Sequence, residues 1–434
     1  MLRLASARAG AASASRRNCG LERAARVIST SGTSRLVAPE AVEAPEVPSR
    51  SPDAWRDEIG RVRNDWTRAE VENVYHTPLI DLVYIAATVH RQHHDPREVQ
   101  KCTLLSVKTG GCPETCKYCS QSSSWSKTTG TKAERLMDLE SVIAAAERAK
   151  AAGSTRFCMG AAWRGPSQVG ERQFQRVLEM VKRVRGMGLE VCTTLGMLTD
   201  EQAKRLREAG LSAYNHNLDT SREYYAKITS SRKYDDRLAT IERVRQAGVS
   251  VCAGGIIGLG EANNDRIGLL QQLATLPAHP ESVPINSLVA VKGTPLEGRE
   301  PATGLELVRC VATARVLMPR SVVRLSAGRT GLSVGDQAMA FLAGANSIFS
   351  GDKLLTTPNN DADEDEHMFQ DLGLVPRPAF RAYPAGQDST ATDFEIPQRC
   401  VVSEDAPTER EAAGAEYEGG CGGQLEHRCG GHRA

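Results

Sequence analysis

Nowhere in its 434 positions does the chain hold a run of about 18 apolar residues, so it predicts no transmembrane helix. It has almost no excess of either charge: 54 Lys and Arg against 53 Asp and Glu leave a net +1. That balance gives no reason to expect a nucleic acid or a membrane surface as partner. No G-x-G-x-x-G separates the first strand-like stretch from the helix that follows it, which argues against a dinucleotide-binding fold. Acids are scarce in the amino-terminal forty residues, where Glu22 alone precedes Glu40 among seven Arg and many Ala and Ser. An Arg-rich, Ser-rich, acid-poor composition is that of an organelle transit peptide. Residues 1–45 are therefore read as a disordered mitochondrial, matrix-directing segment outside the fold. Residues 382–434 have little apolar periodicity and read as a disordered tail. Cys400, Cys421 and Cys429 lie in that tail at a spacing that fits no familiar ligand set.

What is present is 12 cysteines, unevenly placed. A disulfide framework belongs to short secreted chains, so metal or cluster ligation is the better expectation for the grouped ones. Between the two ends, short β-branched stretches alternate with amphipathic ones. The strand-like stretches are 103–110, 154–162, 189–196, 212–219, 249–258, 282–290, 322–328 and 346–351. The stretches between them start at capping residues and end at glycines such as Gly153, Gly188, Gly210 and Gly248, as helices do. Eight strands with helical returns predict an α/β fold, a (β/α)8 TIM-type barrel over 103–375. An N-terminal helical extension over 55–102 precedes it. An open doubly wound sheet is the alternative.

A barrel places its active site at the carboxyl ends of the strands. The unusual polar residues fall on the predicted strands: Cys158, Cys192 and Cys252 on the second, third and fifth, Arg324 on the seventh, Asn286 on the sixth. Asn215, Asn217 and Asp219 lie on the fourth. Strand side chains alternate with period two, so these three share a face, with His216 and Leu218 on the other. Two amides and a carboxylate in a row inside a barrel need a partner; facing the helices, they could instead be satisfied by backbone. Any one strand cysteine reads most simply as a small core residue. Three of them with a strand arginine make an anionic cluster a competing explanation, because a buried arginine needs an anionic partner.

Thr109 to Ser123 reads TGGCPETCKYCSQSS, placing Cys112, Cys116 and Cys119 as C-x3-C-x2-C. Structural zinc takes four protein ligands, usually from paired knuckles, and no second knuckle follows. Three thiolates suit a 4Fe–4S cluster with one iron left open. In this position the motif resembles the signature of the radical S-adenosylmethionine superfamily. The stretches GSTRFCMGAAW, AYNHNLDTS, VCAGGIIGLGE, ESVPINSLVAVKGTPL, VRLSAGR and AGANSIFSGDKLLTTPN narrow the resemblance to the biotin synthase family, over roughly residues 60–375.

The resemblance implies a 4Fe–4S cluster on Cys112, Cys116 and Cys119 that cleaves S-adenosylmethionine. It implies a 2Fe–2S cluster on Cys158, Cys192, Cys252 and Arg324 that donates sulfur to dethiobiotin, forming biotin through a deoxyadenosyl radical. Asn217, Asp219, Arg237 and Glu261 match cofactor contacts; Asn215, Asn217 and Asn286 match substrate contacts. It further implies a reducing protein of ferredoxin or flavodoxin type and a homodimer. Cys102 and Cys310 match no ligand position and read as packing residues. The sequence also admits two rivals: another radical enzyme on the same barrel, and a zinc-stabilised scaffold without chemistry.

Overall fold

The computed structural model describes residues 51–380, apart from 352 and 361. The expected transit segment and the cysteine-bearing tail lie outside the described residues. The described chain begins with a short 3-10 turn (Ala54–Glu58) and two helices, Arg68–His76 and Leu79–His93. The strands follow as β1 (Glu98–Lys108), β2 (Arg156–Ala161), β3 (Glu190–Thr194), β4 (Ala213–Asn215), β5 (Ser250–Cys252), β6 (Gly255–Ile257), β7 (Ser282–Ser287), β8 (Val322–Leu325) and β9 (Ala345–Phe349). They pair in parallel in chain order, and β9 pairs back onto β1. β5 and β6 share one position, since both pair with β7, so the closed barrel has eight positions as expected.

That split has a local cause. Gly254 lies between the two halves, and a Cβ there would sit 2.0 Å from the carbonyl oxygen of Pro284. The backbone of β7 approaches too closely for any side chain. Beyond the barrel, β10 (Lys353–Leu354) and β11 (Thr357–Pro358) form an antiparallel hairpin, and β12 (Val375–Pro376) adds to the start of β1.

The helices sit where the alternation puts them. Glu171–Gly186 buries Phe174, Val177, Leu178, Val181 and Val184, the three-and-four spacing of one helical face. Thr199 with Gln202, and Thr303 with Glu306, close reciprocal capping boxes at two helix starts. On β2, Phe157 and Met159 join the apolar core between sheet and helices. Cys158 between them belongs instead to a small cluster with Cys102, Cys192 and Ala213. Period-two alternation thus sends apolar residues outward to the helices and a sulfur-rich row into the barrel.

Two expected boundaries shift. The helical extension ends at His93, and β1 begins at Glu98 rather than 103. The fourth strand ends at Asn215 rather than running to Asp219, which adopts a left-handed φ of 68°. The chain there is still tied to the barrel through a bridge from Asp219 to Gly255.

Candidate active site

The loop after β1 carries Cys112, Cys116 and Cys119. It turns away from the strand through Gly110 and Gly111, at φ of 66° and 70°. A Cβ on Gly110 would meet the carbonyl oxygen of Lys132 at 2.3 Å, so glycine is required on both counts. Local hydrogen bonds then fix the loop: Cys112 N–H donates to Gln121 O at 3.0 Å, Ser123 N–H to Cys112 O at 2.7 Å, and the Trp125 indole to Cys116 O at 3.2 Å. Inside the loop the buried Glu114 carboxylate faces Arg164 at 3.4 Å and Arg232 at 3.7 Å. Arg232 also reaches Cys116 Sγ at 3.7 Å. Burial, and then the neighbouring Cys116, push the Cys119 thiol up to about 12. Burial likewise raises Cys112. Without a cationic ligand these thiols hold their protons; a metal centre would be needed to deprotonate them.

Tyr118, between the second and third cysteines, donates its hydroxyl to Asp219 Oδ2 at 2.9 Å. Asp219 also pairs with Arg237, whose Nε donates to the Tyr225 hydroxyl at 2.7 Å. The motif loop is thereby bolted to the end of the fourth strand position by an almost fully buried ion pair.

The eight described cysteines are all free thiols. Among the described residues, no three His, Cys, Asp or Glu side chains gather closely enough to hold a single metal ion. The thiols of a polynuclear cluster bind separate irons.

Deeper in the barrel lies the second thiol group. Cys158 and Cys192 are register partners on β2 and β3. Asn215 Nδ2 lies 3.2 Å from Cys252 Sγ. Arg324, on β8, is 1 % exposed. Its Nε donates to Ser347 Oγ at 2.9 Å, its Nη1 to Cys252 Sγ at 3.6 Å and its Nη2 to Gln100 Oε1 at 3.3 Å. The sulfur row shares its protons unevenly. Hydrogen bonds from Cys158 and Cys252 pull Cys192 down; the contact with Cys102, and then that with Cys192, holds Cys158 up, and the contact with Cys192 holds Cys252 up.

One cavity of about 330 Å³ joins the two groups. Cys112, Cys116 and Cys119 border it at one end; Cys158, Cys192 and Arg324 at the other. Asn215, Asn217, Asp219, Arg237 and Asn286 also border it, so the inward-facing row is as expected. His216 borders it too, contrary to the alternation assigned from sequence, because regular strand geometry stops at Asn215. Leu218 does turn into the apolar core. Several of these groups are already engaged. Asn286 Nδ2 donates to Gly255 O at 2.9 Å, and its Oδ1 accepts from Ala327 N–H at 3.2 Å. Asn217 Oδ1 accepts from Gly254 N–H at 3.2 Å.

Glu261 does not border the cavity. Its carboxylate is buried, accepting from Gly258 N–H at 2.8 Å and from Arg266 Nε at 2.7 Å. It holds the glycine-rich turn after β6. Tyr118, Arg232, Gln100 and Ser347 were not singled out from the sequence. Tyr118 was visible inside the C-K-Y-C of the motif; the other three become site residues only through the closure of the barrel.

With this geometry, the chain's relatives can be set beside it. Residues 106–273 match the model of the radical SAM superfamily, and residues 284–375 match the Biotin and Thiamin Synthesis associated domain. The mitochondrial biotin synthase of Arabidopsis thaliana is 62% identical over 317 residues, covering 73% of this chain and 83% of that protein. The chain belongs to the biotin synthase family. Biotin synthase of Cytophaga hutchinsonii is 57% identical, covering 74% of this chain and 94% of its own. That of Schizosaccharomyces pombe is 53% identical, covering 77% and 92%. Among solved structures, methylornithine synthase superposes with a TM-score of 0.62 at 19% identity, covering 74% of this chain and 97% of that one. The hydrogenase maturase HydG of Carboxydothermus hydrogenoformans gives 0.62 at 16%, covering 75% and 78%. At those identities the two structures speak for the barrel fold alone.

Proposed function

We infer that this chain converts dethiobiotin to biotin by radical insertion of sulfur, as a member of the biotin synthase family. The observation that carries the reading is the single cavity bordered by both thiol groups, one in the loop after β1 and one on the strands. We assign Cys112, Cys116 and Cys119 to a 4Fe–4S cluster, and Cys158, Cys192 and Cys252, with Arg324 beside them, to a 2Fe–2S cluster. The donor sets fit: three free thiols on one loop, and a buried thiol row facing a buried cation. When bound, the first cluster with S-adenosylmethionine supplies a radical able to break an unactivated C–H bond, and the second supplies sulfur.

The chain's own residues position and shield. Asn215 and Asn217 offer amides at the cavity wall between the two thiol groups. Asp219 and Arg237 hold the motif loop against that wall through Tyr118. Ala162, Trp163, Leu288, Leu354 and Leu355 give the cavity apolar walls that exclude water from a reactive intermediate.

A second cavity flanks the motif at Gly111 and Pro113 and is lined by Lys108, Arg135, Arg172 and Arg176 with the single carboxylate Glu134. This positive rim supports docking of an acidic reducing protein of ferredoxin or flavodoxin type beside the first cluster. Family membership supports a homodimer, and the mitochondrial relative together with the composition of residues 1–45 supports a matrix location.

The test is product analysis. The anaerobically reconstituted chain, given dethiobiotin, S-adenosylmethionine and a reductant, is expected to yield biotin and 5′-deoxyadenosine. Formation of 5′-deoxyadenosine with no biotin would point to another radical reaction.

A further inference from the structure

Pro113, Glu114 and Thr115 separate the first two cysteines of the motif, and the last two of them are more than spacers. Glu114 is 2 % exposed although it lies in a loop. A buried carboxylate is costly unless it is paired. Its partners come largely from one stretch of chain, residues 229–232, just past the helix Arg222–Ile228. Thr115 N–H donates to Ser231 Oγ at 3.0 Å, and Thr115 Oγ1 accepts from the N–H groups of Ser230 and Ser231, both at 3.1 Å. Lys117 N–H donates to Ile228 O at 3.0 Å. The Ser231 hydroxyl donates to Glu114 Oε2. The cysteine loop therefore grips the stretch that carries Arg232.

Arg232 is held from two sides. Its Nε faces Glu114 Oε2 at 3.7 Å, and its Nη2 donates to Cys116 Sγ at 3.7 Å. The side chains of this ion pair are 9% and 3% exposed, so solvent screens them little. Among the described residues Glu114 is the only carboxylate with which Arg232 pairs. Arg237, already paired with Asp219, stands near enough to repel it. The other oxygen of Glu114 faces Arg164 at 3.4 Å, and Arg164 also donates to Ser231 O at 2.8 Å. Arg164 thus neutralises the carboxylate and fastens the 229–232 stretch by itself. A second buried arginine is not needed to hold the fold there. Glu114, Arg232 and Cys116 all border the cavity. The second cation lies where a thiolate-ligated cluster would bring negative charge. Net charge and hydrogen bonds to the sulfurs set the potential of such a cluster, and the groups that orient those neighbours tune it in turn.

We propose that Glu114 is a positioning residue for the first cluster: its carboxylate holds the Arg232 guanidinium against Cys116 Sγ, where it donates to the ligand sulfur and sets the reduction potential. That role rests on the assignment of Cys112, Cys116 and Cys119 to a 4Fe–4S cluster.

Potentiometric titration of the 4Fe–4S paramagnetic resonance signal in the anaerobically reconstituted full-length chain tests it. Arg232→Met removes the cation and is expected to lower the midpoint potential. Glu114→Asp keeps the negative charge and shortens its reach by one methylene. It is expected to shift the midpoint when Arg232 is present and to leave it unchanged in the Arg232→Met background. The 2Fe–2S signal should persist in all four proteins and reports that the barrel is folded. An equal shift in both backgrounds, or no shift in either, would overturn the proposal. Should a variant lose the first cluster, urea unfolding of the four cluster-free chains decides. Glu114→Asp should then lower the urea midpoint more with Arg232 present than with Arg232→Met, and equal losses would overturn the proposal. A full 4Fe–4S signal in Cys116→Ala would instead remove the underlying cluster assignment, which separates the two claims.

Discussion

Arg237→Met should uncouple the cysteine loop from the barrel. The guanidinium and the Asp219 carboxylate it meets are 5% and 3% exposed at their side chains, so solvent screens the pair little. Met keeps most of the volume and removes the charge, leaving Asp219 buried beside Tyr118 and without its cation. Removing one partner of a buried pair costs about 3–5 kcal/mol, because the other charge is stranded. The expected loss is in that range, and it should be shared with the motif, since Tyr118 hangs from the same carboxylate. Asp219→Asn combined with Arg237→Met removes both charges and should restore at least about 2 kcal/mol of the loss, the coupling of a stranded charge. Urea unfolding of the cluster-free chain measures the free energies. Iron uptake at Cys112, Cys116 and Cys119 in the same variants measures the coupling. A loss below about 1 kcal/mol, the range of a solvent-exposed pair, would refute the reading of a buried bolt.

Cys116→Ala should abolish S-adenosylmethionine cleavage along with biotin formation; 5′-deoxyadenosine produced by that variant would remove the motif from the chemistry. Gly254→Ala drives a methyl group against the Pro284 carbonyl and should cost about 3 kcal/mol, the upper end for overpacking, seen as early-melting protein; wild-type melting would contradict the close approach at the split strand. His90 and His216 are depressed well below the ordinary histidine value, first by burial and then by neighbouring arginines, Arg315 for His90 and Arg237 for His216. Their unfolded forms therefore bind protons first as pH falls, so stability is full above about 6.5 and declines below it. Each should contribute up to about 1.4 kcal/mol per pH unit to that decline, and urea midpoints of the cluster-free chain from pH 8 to 5 would show it.

The barrel was legible because its signals are local. Helix Thr199-capped at Asp200–Glu208 and the outward Phe157 and Met159 each follow from period and caps alone. The start of β1 was not legible. Its inward residues Gln100 and Cys102 are polar or small, and they are there because they face Arg324 across the barrel. A strand whose inward face serves a charged layer loses the apolar alternation by which strands are found. The early end of β4 was hidden for the related reason that Asp219 leaves strand geometry to meet Tyr118 and Arg237. The motif cysteines, the strand cysteines and the Asn215–Asp219 row were found because each clusters in sequence or repeats on successive strands. Arg232 and Ser347 lie far along the chain from the thiols they approach, and only closure of the sheet brings them there.

The most direct test of two clusters in one cavity is the iron and acid-labile sulfide content of the anaerobically reconstituted chain, compared with its Cys192→Ala variant. The wild-type chain should contain the equivalent of one 4Fe–4S and one 2Fe–2S cluster. The variant should lose only the 2Fe–2S share and keep the rest. Equal iron and sulfide in the two proteins would contradict the account.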